Sequence, residues 1–80
     1  MKTKYYRRID NPHRDVISSN DGTLVKVDVE YRGKNAYGYI HTYDEYSRPI
    51  YRNELYTECN KEHFDKVLSA AIAAIRANIS

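Results

Sequence analysis

Two stretches of strict alternation between small or apolar and polar residues mark the middle of the chain. In residues 23–32 valines alternate with charged side chains, and in residues 36–43 small residues alternate with aromatic ones. Successive side chains of a β-strand point to opposite faces, so each stretch predicts a strand with one buried face and one exposed face. The aromatic row of the second strand consists of Tyr37, Tyr39, His41 and Tyr43.

A two-residue turn at Gly33-Lys34 is predicted to join these strands into a hairpin, because glycine in the first turn position matches the twist of an antiparallel pair. This turn places Arg32 opposite Asn35. The valines then share one face with the small residues of the second strand, and the aromatic row shares the other face with charged residues. A turn of odd length would mix apolar and charged side chains, so the two-residue turn is preferred.

The C-terminal quarter of the chain has helical spacing. Its apolar stripe comprises Phe64, Val67, Leu68, Ala71, Ile72, Ile75 and Ile79. Asn60 is a favourable N-cap, and residues 60–78 are predicted to form one helix. Five alanines keep this helix slim. We therefore expect it to pack closely on the valine face, against the strand that contains Gly38.

Two further stretches carry weaker patterns. Residues 1–22 are predicted to form a basic N-terminal edge strand followed by a loop, with a turn from Ser18 to Gly22. Residues 50–57 are predicted to return as the third strand of a meander. Their alternation leaves open which side of this strand faces the core.

The fold class predicted from these elements is α+β. We expect an antiparallel β-meander of three to four strands, centred on residues 23–57, with one C-terminal α-helix packed on one face. A chain of 80 residues has room for one modest core. Residues 1–80 are therefore predicted to form a single domain, which leaves little room for a deep catalytic cleft.

Charge is distributed unevenly along the chain. Residues 1–14 hold five basic side chains and one acidic side chain, although the whole chain has a net charge of only +2. The basic residues predicted to contact a partner are Lys2, Lys4, Arg7 and Arg8. Such a group can meet phosphates or an acidic protein surface, and its alternative role is to protect an exposed strand edge.

The sequence lacks the signals of export and membrane insertion. Its single cysteine, Cys59, cannot form an intramolecular disulfide. The longest apolar run, near residues 70–75, is far shorter than the roughly 18–20 residues of a membrane span, and the charged start lacks the apolar core of a signal peptide. We therefore expect a cytoplasmic protein without a membrane partner.

No motif in the sequence indicates catalysis. His13, His41 and His63 lack the spacing of a metal site. Cys59 lies one helical turn before His63, but a lone cysteine before an apolar helix is more typical of packing than of nucleophilic chemistry. We predict a protein with no enzymatic activity, no catalytic residues, no metal and no cofactor.

The aromatic composition instead indicates a binding surface. The chain has nine tyrosines, one phenylalanine and no tryptophan. Tyrosine combines a large contact area with a polar tip and little side-chain entropy, which suits half-exposed surfaces. If the helix covers the valine face, the opposite face is left open. The residues predicted to contact a partner are Tyr37, Tyr39, His41, Tyr43, Arg52 and Tyr56.

Several roles are open to this face. Cross-strand tyrosine pairs can simply stabilise the sheet, by about 0.2–1 kcal/mol each. The face can also dock on a protein complex and act by occupancy, or form a homodimer. In the alternative interpretation, its aromatics stack nucleic-acid bases while basic side chains neutralise phosphates. Asp28 and Glu30 lie beside the aromatic row in the predicted register and would repel phosphates, so a protein partner is favoured.

A meander over residues 24–57 followed by a helix over residues 61–78 resembles several small phage-encoded inhibitors, including anti-CRISPR proteins. The resemblance covers most of the chain and is one of architecture, without a shared motif. It implies a cytoplasmic, non-enzymatic protein that binds a bacterial defence complex, such as a nucleic-acid-handling effector, and blocks it. The arrangement also resembles DNA-binding domains of integrase type, which keeps nucleic acid as the alternative partner.

Overall fold

The structure, a computed structural model, describes residues 2–44 and 55–79. In chain order its elements are β1 (Lys4–Arg8), β2 (Asp15–Asn20), β3 (Thr23–Arg32), β4 (Asn35–Asp44), β5 (Tyr56–Cys59) and α1 (Lys61–Ile79). These strands form one antiparallel sheet in the spatial order β4-β3-β2-β1-β5. The predicted α+β class and C-terminal helix are confirmed, but the described sheet has five strands and not three to four.

The β3-β4 hairpin has the predicted register. Arg32 lies opposite Asn35, and Val29 lies opposite Gly38. Gly33 has a φ angle of 61°, whereas Lys34 keeps a negative φ, as a two-residue turn with glycine first requires. The alternation therefore sorts the side chains as predicted, with the valines on the helix side and the aromatic row on the opposite side.

Strand β2 is missing from the sequence prediction, which places a turn from Ser18 to Gly22. In the structure the turn consists of Asp21 and Gly22 alone, with φ angles of 52° and 84°. Ser18 and Ser19 belong to the strand and pair with β3. Pairing with apolar residues of β3 outweighs the weak strand preference of a Ser-Ser-Asn run.

The N-terminal strand lies inside the sheet and not at its edge, because β1 pairs with β2 on one side and with β5 on the other. The neighbour predicted for the third strand is also wrong. Residues 50–54 of that prediction lie outside the described residues, and Tyr56–Cys59 pairs with β1, at the opposite edge from β4. Local alternation identifies a strand but does not determine which distant strand it joins.

The core lies between the sheet and the helix. Its buried side chains are Val16, Val27, Val29, Phe64, Val67 and Ala71. At the start of α1, the side-chain oxygen of Asn60 accepts a hydrogen bond from the backbone N–H of His63 at 2.8 Å, which confirms the predicted N-cap. The ring of Tyr5 in β1 packs against this end of the helix, and its centroid lies 5.2 Å from the ring centroid of Phe64.

The helix approaches β4 very closely at Gly38. A methyl group added at this position would lie 2.9 Å from Cα of Ala71 and 2.8 Å from its carbonyl carbon, inside van der Waals contact. Ala71 itself is fully buried. Small residues on both elements thus let the two backbones meet, as the sequence predicts.

Replacing Gly38 by alanine is expected to lower the free energy of unfolding by about 2–3 kcal/mol, because the added methyl group forces the helix away from the strand. Gly33→Ala is the matched control. Its methyl group would meet nothing within 4 Å, so only the positive φ is strained, at about 1 kcal/mol. Urea unfolding compares the two variants, and an equal or smaller loss for Gly38→Ala would contradict this helix position.

Candidate binding surface

The sheet face opposite α1 carries the aromatic row of β4, and we call it the tyrosine face. The row consists of Tyr37, Tyr39, His41 and Tyr43, which lie opposite Glu30, Asp28, Lys26 and Leu24 of β3, respectively. Tyr39 is 38% exposed and His41 is exposed, whereas Tyr37 and Tyr43 are half-buried. The predicted row is therefore present, and its accessible centre is formed by Tyr39 and His41.

Neighbouring side chains order the ends of the row. The rings of His41 and Tyr43 stack with their centroids 6.1 Å apart. The guanidinium carbon of Arg32 lies 5.4 Å from the centroid of Tyr37, within the range of a cation–π contact. These rings are partly ordered before a partner binds, which reduces the side-chain entropy that binding costs.

The charged residues of β3 beside the row are paired with one another. Nζ of Lys26 lies 2.8 Å from a carboxylate oxygen of Asp28. Glu30 forms a second ion pair, with Nε of Arg32. Because these charges largely cancel, the strand beside the aromatic row presents little net charge to a partner.

Part of the tyrosine face is buried. Ile17 and Leu24 are each 1% exposed, and Asp15 is 5% exposed. Strand alternation puts all three on the face opposite the core, because their neighbours Val16 and Val25 pack against the helix side. The prediction that this whole face is open is therefore wrong. Its accessible part is the strip along β4 that is centred on Tyr39.

Asp15 is the centre of a polar network on this face. The hydroxyl of Tyr56 donates to it, 3.0 Å from each carboxylate oxygen. Nζ of Lys26 and a terminal guanidinium nitrogen of Arg8 lie 3.7 Å and 3.6 Å from one of these oxygens. The network connects β2 with β1, β3 and β5, and therefore ties four strands together.

Burial sets the protonation behaviour of the network. Burial, reinforced by the charge of Asp28, raises the pKa of Asp15, although Lys26 and Tyr56 act in the opposite direction. Burial and the nearby Asp15 carboxylate also raise the pKa of Tyr56. The Tyr56 hydroxyl consequently stays protonated over the physiological range and remains a hydrogen-bond donor.

The predicted contact residues outside β4 have different positions. Tyr56 is half-buried and its hydroxyl is bonded to Asp15, so the structure gives it an anchoring position in the sheet. Arg52 lies outside the described residues. Asp15 is not predicted from the sequence, because a single acidic residue before two apolar ones gives no sign of burial.

The basic residues of the N-terminus do not form one patch. Alternation along β1 places Lys4 and Arg8 on the tyrosine face and Arg7 on the helix side, while Lys2 precedes the strand. Nε of Arg8 lies 2.6 Å from a carboxylate oxygen of Asp10. The predicted basic contact is therefore divided between two faces, and one of its members is already paired with an acidic side chain.

The structure also brings together two histidines that are 50 residues apart in the sequence. The ring centroids of His13 and His63 are 5.4 Å apart, and Nε2 of His63 is in hydrogen-bond contact with the carbonyl oxygen of Pro12. In the described part of the chain, no group of three histidine, cysteine or acidic residues is arranged to hold a metal ion.

Two further observations bear on chemistry and on location. Burial raises the pKa of the Cys59 thiol, which lowers the fraction of reactive thiolate at neutral pH. Among residues 2–44 and 55–79, no helix combines the length and apolar character needed to cross a membrane.

Comparison of the chain with models of protein families, with curated proteins and with solved structures finds no match. A functional interpretation therefore rests on the surface itself. That surface is an accessible aromatic strip on β4, flanked by paired charges on β3 and held by the sheet behind it.

Replacing Tyr56 by phenylalanine removes the hydroxyl that donates to the buried carboxylate of Asp15. We expect the free energy of unfolding to fall by about 1–3 kcal/mol, because a buried charged acceptor loses a hydrogen bond. Tyr39→Phe is the matched control, with a loss near zero because its ring is 38% exposed. Chemical denaturation measures both variants, and similar losses would argue against the network.

Asp15→Asn is expected to change how stability depends on pH. The ordinary pKa of the aspartate is 3.8, and the folded value is higher, so the folded wild type binds more protons than the unfolded chain. The stability of the wild type relative to Asp15→Asn should therefore be highest below about pH 4 and decline as pH rises through the folded pKa. The facing groups Arg8, Lys26, Asp28 and Tyr56 are unchanged in both proteins.

Urea unfolding of both proteins from about pH 3 to pH 8 gives this difference directly. A relative stability of the wild type that rises with pH would mean that the ionised form of Asp15 is the favoured one in the folded protein. Such a result would contradict the assignment of burial as the dominant influence.

Proposed function

We propose that this protein is a small non-enzymatic binding domain whose aromatic row on β4 docks on a partner protein. By occupying the partner's surface, it inhibits or modulates the macromolecular complex to which the partner belongs. The observation that carries the proposal is the exposure of Tyr39 and His41 at the centre of an aromatic row.

Aromatic anchors that become buried on association supply much of the binding energy in protein interfaces. Tyr39 lies between Tyr37 and His41 on the same face of one strand, so a single strip offers several such anchors with polar tips. The stack of His41 on Tyr43 and the contact of Arg32 with Tyr37 restrict these side chains before a partner binds. A surface whose side chains are already restricted loses less conformational entropy on binding.

Inhibition by steric occupancy requires no rearrangement of this surface. Among the described titratable groups, Asp15 most resembles a catalytic residue, because its pKa is raised. Its side chain, however, is 5% exposed and accepts a hydrogen bond from Tyr56. A catalytic role would require it to leave this network and reach substrate. A binding role requires only the side chains that already face solvent.

Two observations favour a protein partner over nucleic acid. Asp28 and Glu30 lie directly opposite Tyr39 and Tyr37. They hold Lys26 and Arg32 in ion pairs, so these two cations beside the row are already neutralised and offer little attraction to a phosphate backbone. The basic residues Lys4 and Arg7 point to different faces of β1. A nucleic-acid platform of this kind needs its cations beside the stacking rings.

The resemblance to anti-CRISPR proteins suggests where the partner is found. It implies a bacterial defence complex as the target and the cytoplasm as the location, and both remain predictions. A bacterial lysate is accordingly the first source from which a partner is to be isolated.

The double variant Tyr39→Ala/His41→Ala is expected to weaken binding of the isolated partner by about 30-fold or more, which corresponds to about 2 kcal/mol. Tyr31→Ala is the matched control, because Tyr31 is 50% exposed but lies on the helix side. Biolayer interferometry with the partner captured from lysate measures the affinities. Equal affinities of the double variant and the control would contradict the assignment of the surface.

Nuclease treatment and salt titration distinguish the two classes of partner in the same samples. A bound protein that survives nuclease and dissociates only weakly with added salt supports the proposal. Loss of the bound material with nuclease, together with a steep fall of affinity with salt, would replace the proposal by nucleic-acid binding, because released counterions make that affinity strongly salt-dependent.

A further inference from the structure

The outer edge of β4 is a long strand edge with no strand beside it in the described part of the chain. Among the described strands, β4 has ten residues and is the last on its side of the sheet, whereas β5, at the other edge, has four. In the hairpin, hydrogen-bonded and non-bonded pairs alternate, and the pair next to the two-residue turn is bonded. The backbone N–H and C=O groups of Gly38, Ile40 and Thr42 therefore point away from β3.

A side-chain contact supports this orientation. The side-chain amide of Asn78 donates to the carbonyl oxygen of Ala36 at 2.8 Å. Ala36 belongs to the same alternate set of β4 residues, so its carbonyl also faces outward, where the end of α1 reaches it. The next outward groups along the strand, from Gly38 to Thr42, form the central part of the edge.

The sequence of this edge lacks the residues that commonly protect strand edges from pairing. Edges are commonly protected by lysine, proline, bulges or short length. Between Asn35 and Asp44, β4 contains no Lys, Arg, Asp, Glu or proline. Ile40 is 40% exposed on the helix side, and Ile72, which directly follows the helix residue packed on Gly38, is 36% exposed. Such an edge is stabilised when another strand covers it.

We propose that a second copy of this chain covers this edge, with β4 pairing antiparallel to β4 about a twofold axis at Ile40. In this register Ile40 exchanges backbone hydrogen bonds with Ile40 of the second copy, and Gly38 does so with Thr42. A centre at Ile40 overlaps nine of the ten residues of each β4 strand and places the outward-pointing groups of Gly38, Ile40 and Thr42 opposite one another. The inference goes beyond the proposed function and does not depend on it.

The side chains match across this axis. On the tyrosine face, Tyr39 lies beside His41 of the second copy and Tyr37 beside Tyr43, so two aromatic rows merge into one surface. On the helix side, Ile40 meets its own copy, and no like charges face each other. A twofold pair needs only one self-complementary edge, and a domain of 80 residues gains stability from the added burial.

Sedimentation velocity over a range of protein concentrations tests the proposal. We expect a species of twice the chain mass that dissociates on dilution. Thr42→Pro removes an outward N–H and leaves the bonds to β3 intact, and it should give a folded monomer at concentrations where the wild type is dimeric. Glu58→Lys, on the exposed edge strand β5, is the control and should remain dimeric. A wild type that is monomeric throughout, or a dimer lost only in Glu58→Lys, would overturn the proposal.

Disulfide trapping gives an answer even if Thr42→Pro does not fold. In a Cys59→Ser background, Ile40→Cys places two thiols across the axis at a Cα separation of about 5.5 Å, within the range of a disulfide. Oxidation should link most chains into dimers, while Ser69→Cys, exposed on α1, should link far fewer. Equal yields at both positions, or no link at residue 40, would show that this edge does not meet its copy.

Discussion

The backbone contact between Gly38 of β4 and Ala71 of α1 is the constraint on which the rest of the structure depends. A helix of 19 residues lies this close to a strand only where both elements carry small side chains. With the helix on that face, strand alternation turns Tyr39 and its neighbours to the opposite face. The accessible aromatic row is thus a consequence of core packing.

The sequence predicts an element well where independent local signals agree. The β3-β4 hairpin combines alternation on both strands with a glycine-first turn at Gly33, and all of these favour one register. The helix likewise combines an N-cap at Asn60 with an apolar stripe. Strand β2 and the position of β5 could not be predicted in this way. Ser18 and Ser19 pair with β3 across the tight Asp21-Gly22 turn and with the more distant β1, but their polar side chains give no local strand signal. Residues 56–59 pair with β1, which is distant in sequence.

The same distinction applies to the candidate surface. The exposure of Tyr39 follows from alternation alone, so local sequence is sufficient to predict it. The burial of Asp15 depends on Tyr56 and Lys26, which belong to other strands. Tyr56, which the sequence predicts as a contact for a partner, is therefore an anchor within the sheet. This network stabilises the strands behind the aromatic row, and the row itself is left to face solvent.

The most direct test of the central claim is site-specific photo-crosslinking at the aromatic row. A photoreactive phenylalanine analogue replaces Tyr39, and in a second protein it replaces Tyr31, which is 50% exposed on the other side of the sheet. After irradiation in a bacterial lysate, our account predicts a discrete adduct with a different protein at position 39 that is missing at position 31. Equal labelling at both positions, or adducts at position 39 with nucleic acid alone, would contradict it.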